Sequence, residues 1–202
     1  MKKSKKEYKD KNLVTFSIDI KQKEHKKGIW KKNIVFPPKW TDFTLDKTYH
    51  NNNYNGIAIL TGKINNIIVI DIDNKEHWNK LLEENNQQEP NTVKVISGSG
   101  GIHYYFKYND NLDYIKSKDH CFGKDYDIDI KTKGGCVIAP PSKYFNQNLN
   151  KEVEYKWDTQ TKNSHSENSI FNNNLAEIPN WIVNLIINKK EKIKKEDKKE
   201  NK

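Results

Sequence analysis

The sequence predicts an α+β protein, and three observations carry that prediction. Short apolar runs alternate with polar residues at the period of two that marks strands. Turn-forming clusters of Gly, Asn and Ser separate these runs. Two stretches, 75–84 and 178–187, carry helical spacing instead. At least seven strands and two or three helices can be read in this way.

In chain order, residues 1–12 hold almost nothing apolar and read as disordered. Residues 13–20 alternate weakly, as a strand or a docking segment, and residues 21–27 are basic. From Gly28 to Trp40, apolar pairs bracket further lysines until Pro37 and Pro38 stop any regular element. Trp30 and Trp40 read as packing residues. A polar loop at 51–56 leads to a strand at 57–60, a turn at 61–63 and a strand at 67–73, which together predict a hairpin. Asn74 is placed to cap a helix over 75–84 whose Trp78, Leu81 and Leu82 form one apolar stripe. Strands at 92–96 and 102–108 flank Ser97-Gly98-Ser99-Gly100-Gly101, a second hairpin. Residues 109–124 read as a loop with a packed corner at 121–123, followed by strands at 126–131 and 136–139 and a stop at Pro140-Pro141-Ser142. A short strand at 155–157, a loop at 158–174 and a terminal helix capped by Asn180, packing Trp181, Leu185 and one of the isoleucines, complete the pattern. The organisation expected is a basic arm (1–27), one domain (28–188) and a charged, disordered tail (189–202).

The net charge of +9 is concentrated at the ends. Residues 1–32 carry 12 Lys against 4 acids and residues 189–202 carry 8 against 4, which leaves −3 for the intervening chain. Lysine-rich ends can hold polyanions by counterion release, or can simply be solvated. Two cysteines without metal-ligand spacing predict neither a zinc knuckle nor a disulfide framework. No apolar run approaches the roughly 20 residues of a membrane span, and no signal core is present. A soluble intracellular protein without membrane attachment is expected.

The most informative stretch is Ile67-Ile68-Val69-Ile70-Asp71-Ile72-Asp73. In a strand, residues i and i+2 share a face, so Asp71 and Asp73 project together where an apolar strand ends. Adjacent carboxylates repel and lose hydration, a problem that a bound cation, lysine partners or exposure relieves. In the second stretch, glycines uncover backbone amides that can receive a phosphate, the hydroxyls of Ser97 and Ser99 add donors, and His103 shares a strand face with Tyr105 and Lys107. In the third, Asp127, Asp129 and Lys131 share one face opposite Ile128 and Ile130. Taken together, these are the parts of a metal-dependent phosphotransfer site, since Mg²⁺ prefers carboxylate and phosphate oxygens.

In order, the three stretches resemble the Prim-Pol domain, the bifunctional DNA primase–polymerase branch of the archaeo-eukaryotic primase superfamily. Asp71-Ile72-Asp73 resembles its first motif, and Ser97 to Phe106 its Ser/Gly-loop, His and aromatic-strand motif. Asp129-Ile130-Lys131, Gly134-Gly135 and Pro140-Pro141-Ser142 resemble the third. The likeness covers about residues 28–160. It implies a curved, mostly antiparallel sheet with flanking helices, related to RNA-recognition-motif palms. It further implies Asp71, Asp73 and Asp129 as catalytic metal carboxylates for two Mg²⁺ or Mn²⁺ ions, with Asp127 competing for the third place. Ser97, Gly98, Ser99, Gly100, Gly101 and His103 would bind the nucleotide triphosphate, and Lys131 stands where relatives often carry a basic residue. The activity implied is template-directed synthesis on single-stranded DNA from NTPs or dNTPs. With no helicase module in the sequence, the chain would act with a helicase or other replication protein in trans, or be a fragment of a larger assembly. A metal-dependent nuclease and a non-catalytic nucleic-acid-binding subunit are the alternatives.

Overall fold

The computed structural model describes residues 2–158 and 168–188. Helix α1 (Lys2–Asp10) is followed by β1 (Thr15–Lys26), β2 (Ile29–Val35), β3 (Gly56–Leu60), β4 (Ile67–Ile72) and α2 (Lys75–Glu84). Strands β5 (Val93–Ile96), β6 (Ile102–Lys107), β7 (Ile128–Lys131), β8 (Cys136–Ala139), β9 (Lys143–Asn146), β10 (Lys151–Glu154), β11 (Lys156–Trp157) and β12 (Ala176–Glu177) come next. Helix α3 covers 180–188. The protein is α+β with mostly antiparallel sheets. One sheet has the order β2-β1-β3-β8; a second has β11-β5-β6-β4-β7, with β12 alongside β6; β9 and β10 form a hairpin.

Alternation along the strands explains the layering. In the second sheet Ile67, Val69, Val93, Val95 and Tyr105 face the first sheet and pack on Phe16, Ile18, Ile57 and Ile59. Their neighbours Ile68, Ile70, Ile72, Tyr104, Phe106, Ile128 and Ile130 point the other way, onto Trp78, Leu81 and Leu82 of α2 and Ile182, Val183 and Ile186 of α3. Two cores therefore share one sheet, and β4 is buried on both faces, as its continuous aliphatic run requires. Asn74 caps α2 as expected, accepting from the amides of Glu76 and His77.

Several expectations are corrected. Residues 1–12 are not without structure: α1 buries Tyr8 completely, and the Tyr8 hydroxyl donates to the Pro140 carbonyl at 2.8 Å. Nor is 1–27 an arm separate from the domain, because β1 pairs with β3 and its Phe16 and Ile18 are fully buried. The boundary after residue 27 falls at the tip of the β1–β2 hairpin. Strands β3 and β4 do not form a hairpin. They lie in different sheets, each flanked on both sides by other strands, and only the bridge between Gly62 and Ile67 joins them. Asn65 fixes this crossover by accepting from the Val14 amide and donating to the Val14 and Leu60 carbonyls. Helix α3 starts at residue 180, so Pro179 rather than Asn180 precedes it, and its buried stripe is Ile182, Val183 and Ile186, with Trp181 and Leu185 half-buried. The tail 189–202 lies outside the described residues. Among the described residues no helix is long and apolar enough to cross a membrane.

Candidate active site

The inter-sheet core gives out at the C-terminal end of β4, where the aliphatic face of that strand becomes acidic. Strand β4 is central, between β6 and β7, and its register sets Asp71 opposite His103 on one side and opposite Asp129 on the other. Three residues from three distant parts of the chain thus stand side by side on one sheet face. His103 Nε2 lies 3.2 Å from Asp71 Oδ1, with both side chains largely buried. Burial depresses the His103 pKa against the opposing pull of Asp71, which favours the neutral imidazole. Its Nδ1 is buried and has no hydrogen-bond partner among the described residues.

On the other flank, Lys131 Nζ bonds Asp129 Oδ2 at 2.7 Å and Asp119 Oδ1 at 3.0 Å, and the His120 amide donates to Asp129 Oδ1. Burial, the largest single influence, works against the charge on Lys131, but its bonds to Asp129 and Asp119 and the charges of Asp129 and Asp71 together outweigh this and raise its pKa. For Asp129 itself, burial outweighs these donors and raises the carboxyl above its ordinary value. Asp73 stands just past β4, its amide donating to the Asp127 carbonyl at 3.1 Å. Desolvation, then the neighbouring Asp71 carboxylate, push its carboxyl upward. Asp127 is turned elsewhere, its carboxylate oxygens 3.5 Å from His77 Nδ1 and 3.6 Å from His120 Nδ1.

The Gly-Ser loop closes the β5–β6 hairpin through bonds from the Ser97 amide to the Gly101 carbonyl and from the Gly100 amide to the Ser97 carbonyl. The amides of Gly98, Ser99 and Gly101 have no acceptor among the described residues, and the Ser97 and Ser99 hydroxyls lie 3.3 Å apart. A Cβ on Gly101 would stand 2.7 Å from the Ile72 carbonyl oxygen and 3.6 Å from Asp73 Cα, so only glycine lets the loop press against the acidic end of β4.

Asp71, His103 and Lys131 line a cavity of 210 Å³ between the sheets, together with Lys32 and Tyr155. Ser97 to Gly100 line a separate cleft of 610 Å³, whose opposite wall carries Lys151 and Lys156. The structure therefore joins the first acid, the histidine and the lysine in one cavity and sets the loop in a separate cleft, while Asp73 and Asp129 line neither. Among the described residues no three His, Cys, Asp or Glu side chains form a ready-made metal cage.

A family model for the N-terminal domain of bifunctional DNA primase/polymerases, Prim-Pol, matches residues 8–181. The chain belongs to the Prim-Pol family. The match extends beyond the 28–160 span of the motif resemblance at both ends, taking in β1 and the start of α3. No match to the chain was found among curated proteins.

The oxygen-only donor set of this Prim-Pol chain suits a hard divalent cation. Asp71 and Asp73 are adjacent on one face, Asp129 is the cross-strand neighbour of Asp71, and the carboxyls of Asp73 and Asp129 are raised by lost hydration. A divalent ion would relieve that desolvation, so the residues fit it. Lys131 already neutralises Asp129, which explains how the acids coexist. Sequence reading missed Lys32, Asp119, His120 and Tyr155. Lys32 sits in a basic stretch and bonds the Tyr155 hydroxyl at 3.2 Å. Only the strand register, which points it inward, distinguishes it from the other lysines there.

Proposed function

We propose that this Prim-Pol chain is a template-directed nucleotidyltransferase, a DNA primase with DNA polymerase capacity at the same site. The observation that carries the reading is the row His103–Asp71–Asp129 across three adjacent strands, beside a glycine loop pressed on the last residues of β4.

Asp71, Asp73 and Asp129 would hold the divalent ions, Mg²⁺ or Mn²⁺. When bound, such ions acidify an attacking 3′-hydroxyl and neutralise the charge of the leaving pyrophosphate. The protein's own groups do the rest. His103 holds Asp71 in one orientation through Nε2, and the approach of a phosphoanion would favour a second proton on Nδ1, turning that unpartnered atom into a donor. The free amides of Gly98, Ser99 and Gly101 and the two serine hydroxyls suit triphosphate oxygens, a nest of the kind that binds anions. Lys131 and Lys32 supply fixed positive charge on the cavity wall, which favours the transition state in proportion to the charge it spreads over phosphate oxygens. An RNA-recognition-motif-like palm, a replication role and a helicase partner in trans belong to the same reading.

The test is synthesis. Purified protein with a single-stranded template, nucleotides and Mn²⁺ yields template-dependent products, and the double variant Asp71→Asn/Asp73→Asn yields none. Sustained synthesis by that variant overturns the assignment. Degradation of labelled DNA without added nucleotide would instead support a nuclease.

A further inference from the structure

We infer that the β1–β2 ribbon is a docking track for single-stranded nucleic acid, leading a template strand to the mouth of the Asp71 cavity; the inference rests on the nucleotidyl-transfer reading for the use made of that strand.

The register of the ribbon sorts its residues. Ile20 pairs with Ile34 at the base, and beyond them the ribbon leaves the core, so that Lys21, Lys23, Lys26 and Lys31 are all exposed. Residues 21–26 extend for about 20 Å at strand rise. Lys23 faces Lys31, and both share the outer face with Lys21; Lys26 and Lys27 occupy the tip. The opposite face carries Trp30 and Lys32, on the same side as Ile34 and Ile20. Lys32 lines the cavity that holds Asp71. The inner face is therefore a continuous line from a half-exposed indole, through a lysine, to the first acid of the site.

Charge pairing separates this ribbon from most other lysine-bearing strands, β10 with Lys151 excepted. Lys94, Lys107, Lys131, Lys143 and Lys156 each sit against a carboxylate. On the ribbon Asp19 pairs with Lys21, and Glu24 is occupied by the turn, accepting from the Gly28 amide at 2.7 Å. Among the described residues Lys23, Lys26, Lys27 and Lys31 have no carboxylate partner. Like charges facing each other across a strand pair are destabilising. A polyanion removes that repulsion and releases its own counterions in doing so. Trp30, together with Ile29, which is 51% exposed at the tip, adds apolar surface on which bases can stack. A narrow ribbon with lysines on its outer face and at its tip and an indole on its inner face offers both phosphate and base contacts, which suits a strand with unstacked bases better than a uniformly charged polymer.

The inner contacts hold the ribbon in place without consuming these groups. The Asn148 side chain bonds both the amide and the carbonyl of Trp30, and Gln22 accepts from the Gln147 amide. The ribbon is thus tied along its middle and towards its tip to the β9–β10 turn, while Lys23, Lys26, Lys27 and Lys31 keep no carboxylate partner among the described residues.

The experiment compares the triple variant Lys23→Gln/Lys26→Gln/Lys31→Gln with Lys80→Gln/Lys116→Gln/Lys124→Gln, which removes the same charge elsewhere. Fluorescence anisotropy of a labelled oligothymidylate is followed across a salt series without nucleotide. If the three ribbon lysines meet phosphates, the slope of log affinity against log salt falls by about 2, and binding at 0.1 M salt weakens about 100-fold, while the second variant binds as wild type. Unchanged binding by the ribbon variant overturns the inference, as does an equal loss in both variants. Nucleotide incorporation measured on the same preparations separates the two readings. A ribbon variant that loses binding, beside a wild type that makes no product, keeps the track and sinks the enzyme. A ribbon variant that binds and synthesises as wild type does the reverse.

Discussion

Replacing Asp73 by Asn should make the protein more stable and inactive at once. Asp73 is exposed just past the end of β4, yet desolvation and the neighbouring Asp71 charge disfavour its carboxylate. Two unit charges about 7 Å apart, the i to i+2 spacing of a strand, repel by about 0.6 kcal/mol at a dielectric of 80 and by about 2.4 kcal/mol at 20. Exposure places Asp73 near the lower figure, and Lys32 and Lys131 offset part of it. A net gain of no more than about 0.6 kcal/mol follows, or a Tm rise of up to about 2 °C for a chain of this size. Differential scanning calorimetry in metal-free buffer reads the shift. Asp71→Ala provides the opposite sign, because it leaves buried His103 Nε2 without its acceptor, at a loss of about 1–3 kcal/mol. A lower Tm for Asp73→Asn than for wild type would refute the view that the acidic pair is held at the expense of stability.

Other outcomes follow from the same contacts. Mn²⁺ should raise the Tm of wild type, by the equivalent of about 2.7 kcal/mol at a hundred times its Kd, and leave Asp71→Asn/Asp73→Asn unmoved in the same thermal scan. Gly101→Ala should weaken nucleotide binding by displacing the loop from the Ile72 carbonyl; isothermal titration with a nucleotide checks this, and unaltered affinity would contradict the close approach. Ser142→Ala should cost about 1–3 kcal/mol in urea unfolding, since the Ser142 hydroxyl is the acceptor for the buried Ile57 amide. Tyr8→Ala should cost about 3–5 kcal/mol, a loss that a disordered N-terminus would not show.

What the sequence made legible is what depends on local periodicity. The alternation around His103 assigned Tyr105 to one face and Ile102, Tyr104 and Phe106 to the other, and the two cores divide them in that way. The α2 stripe and its Asn74 cap were equally plain, because helix spacing and capping are short-range. Long-range pairing was not legible. Residues 57–60 and 67–72 look like hairpin partners because six residues separate them, yet each strand has stronger partners from elsewhere in the chain. α1 was missed because one buried aromatic, Tyr8, among lysines leaves almost no periodic signal. Strands β9, β10 and β12 are short, with mostly polar or exposed residues, and look like loop. At the site, Asp71, Asp129, His103 and Lys131 were all named from sequence. Strand register supplied what sequence left open, setting Asp129 beside Asp71 and turning Asp127 toward His77 and His120.

The central claim is that the row His103–Asp71–Asp129 performs nucleotidyl transfer. Its most direct test is the rate of template-directed incorporation by Asp129→Asn beside that of Asp127→Asn, which differ by two positions in one segment. The account predicts a loss of roughly 10²-fold or more for Asp129→Asn, the scale of removing one electrostatic contributor from a transition state, and a rate within a few-fold of wild type for Asp127→Asn. Full activity in Asp129→Asn, with the loss in Asp127→Asn, would contradict it.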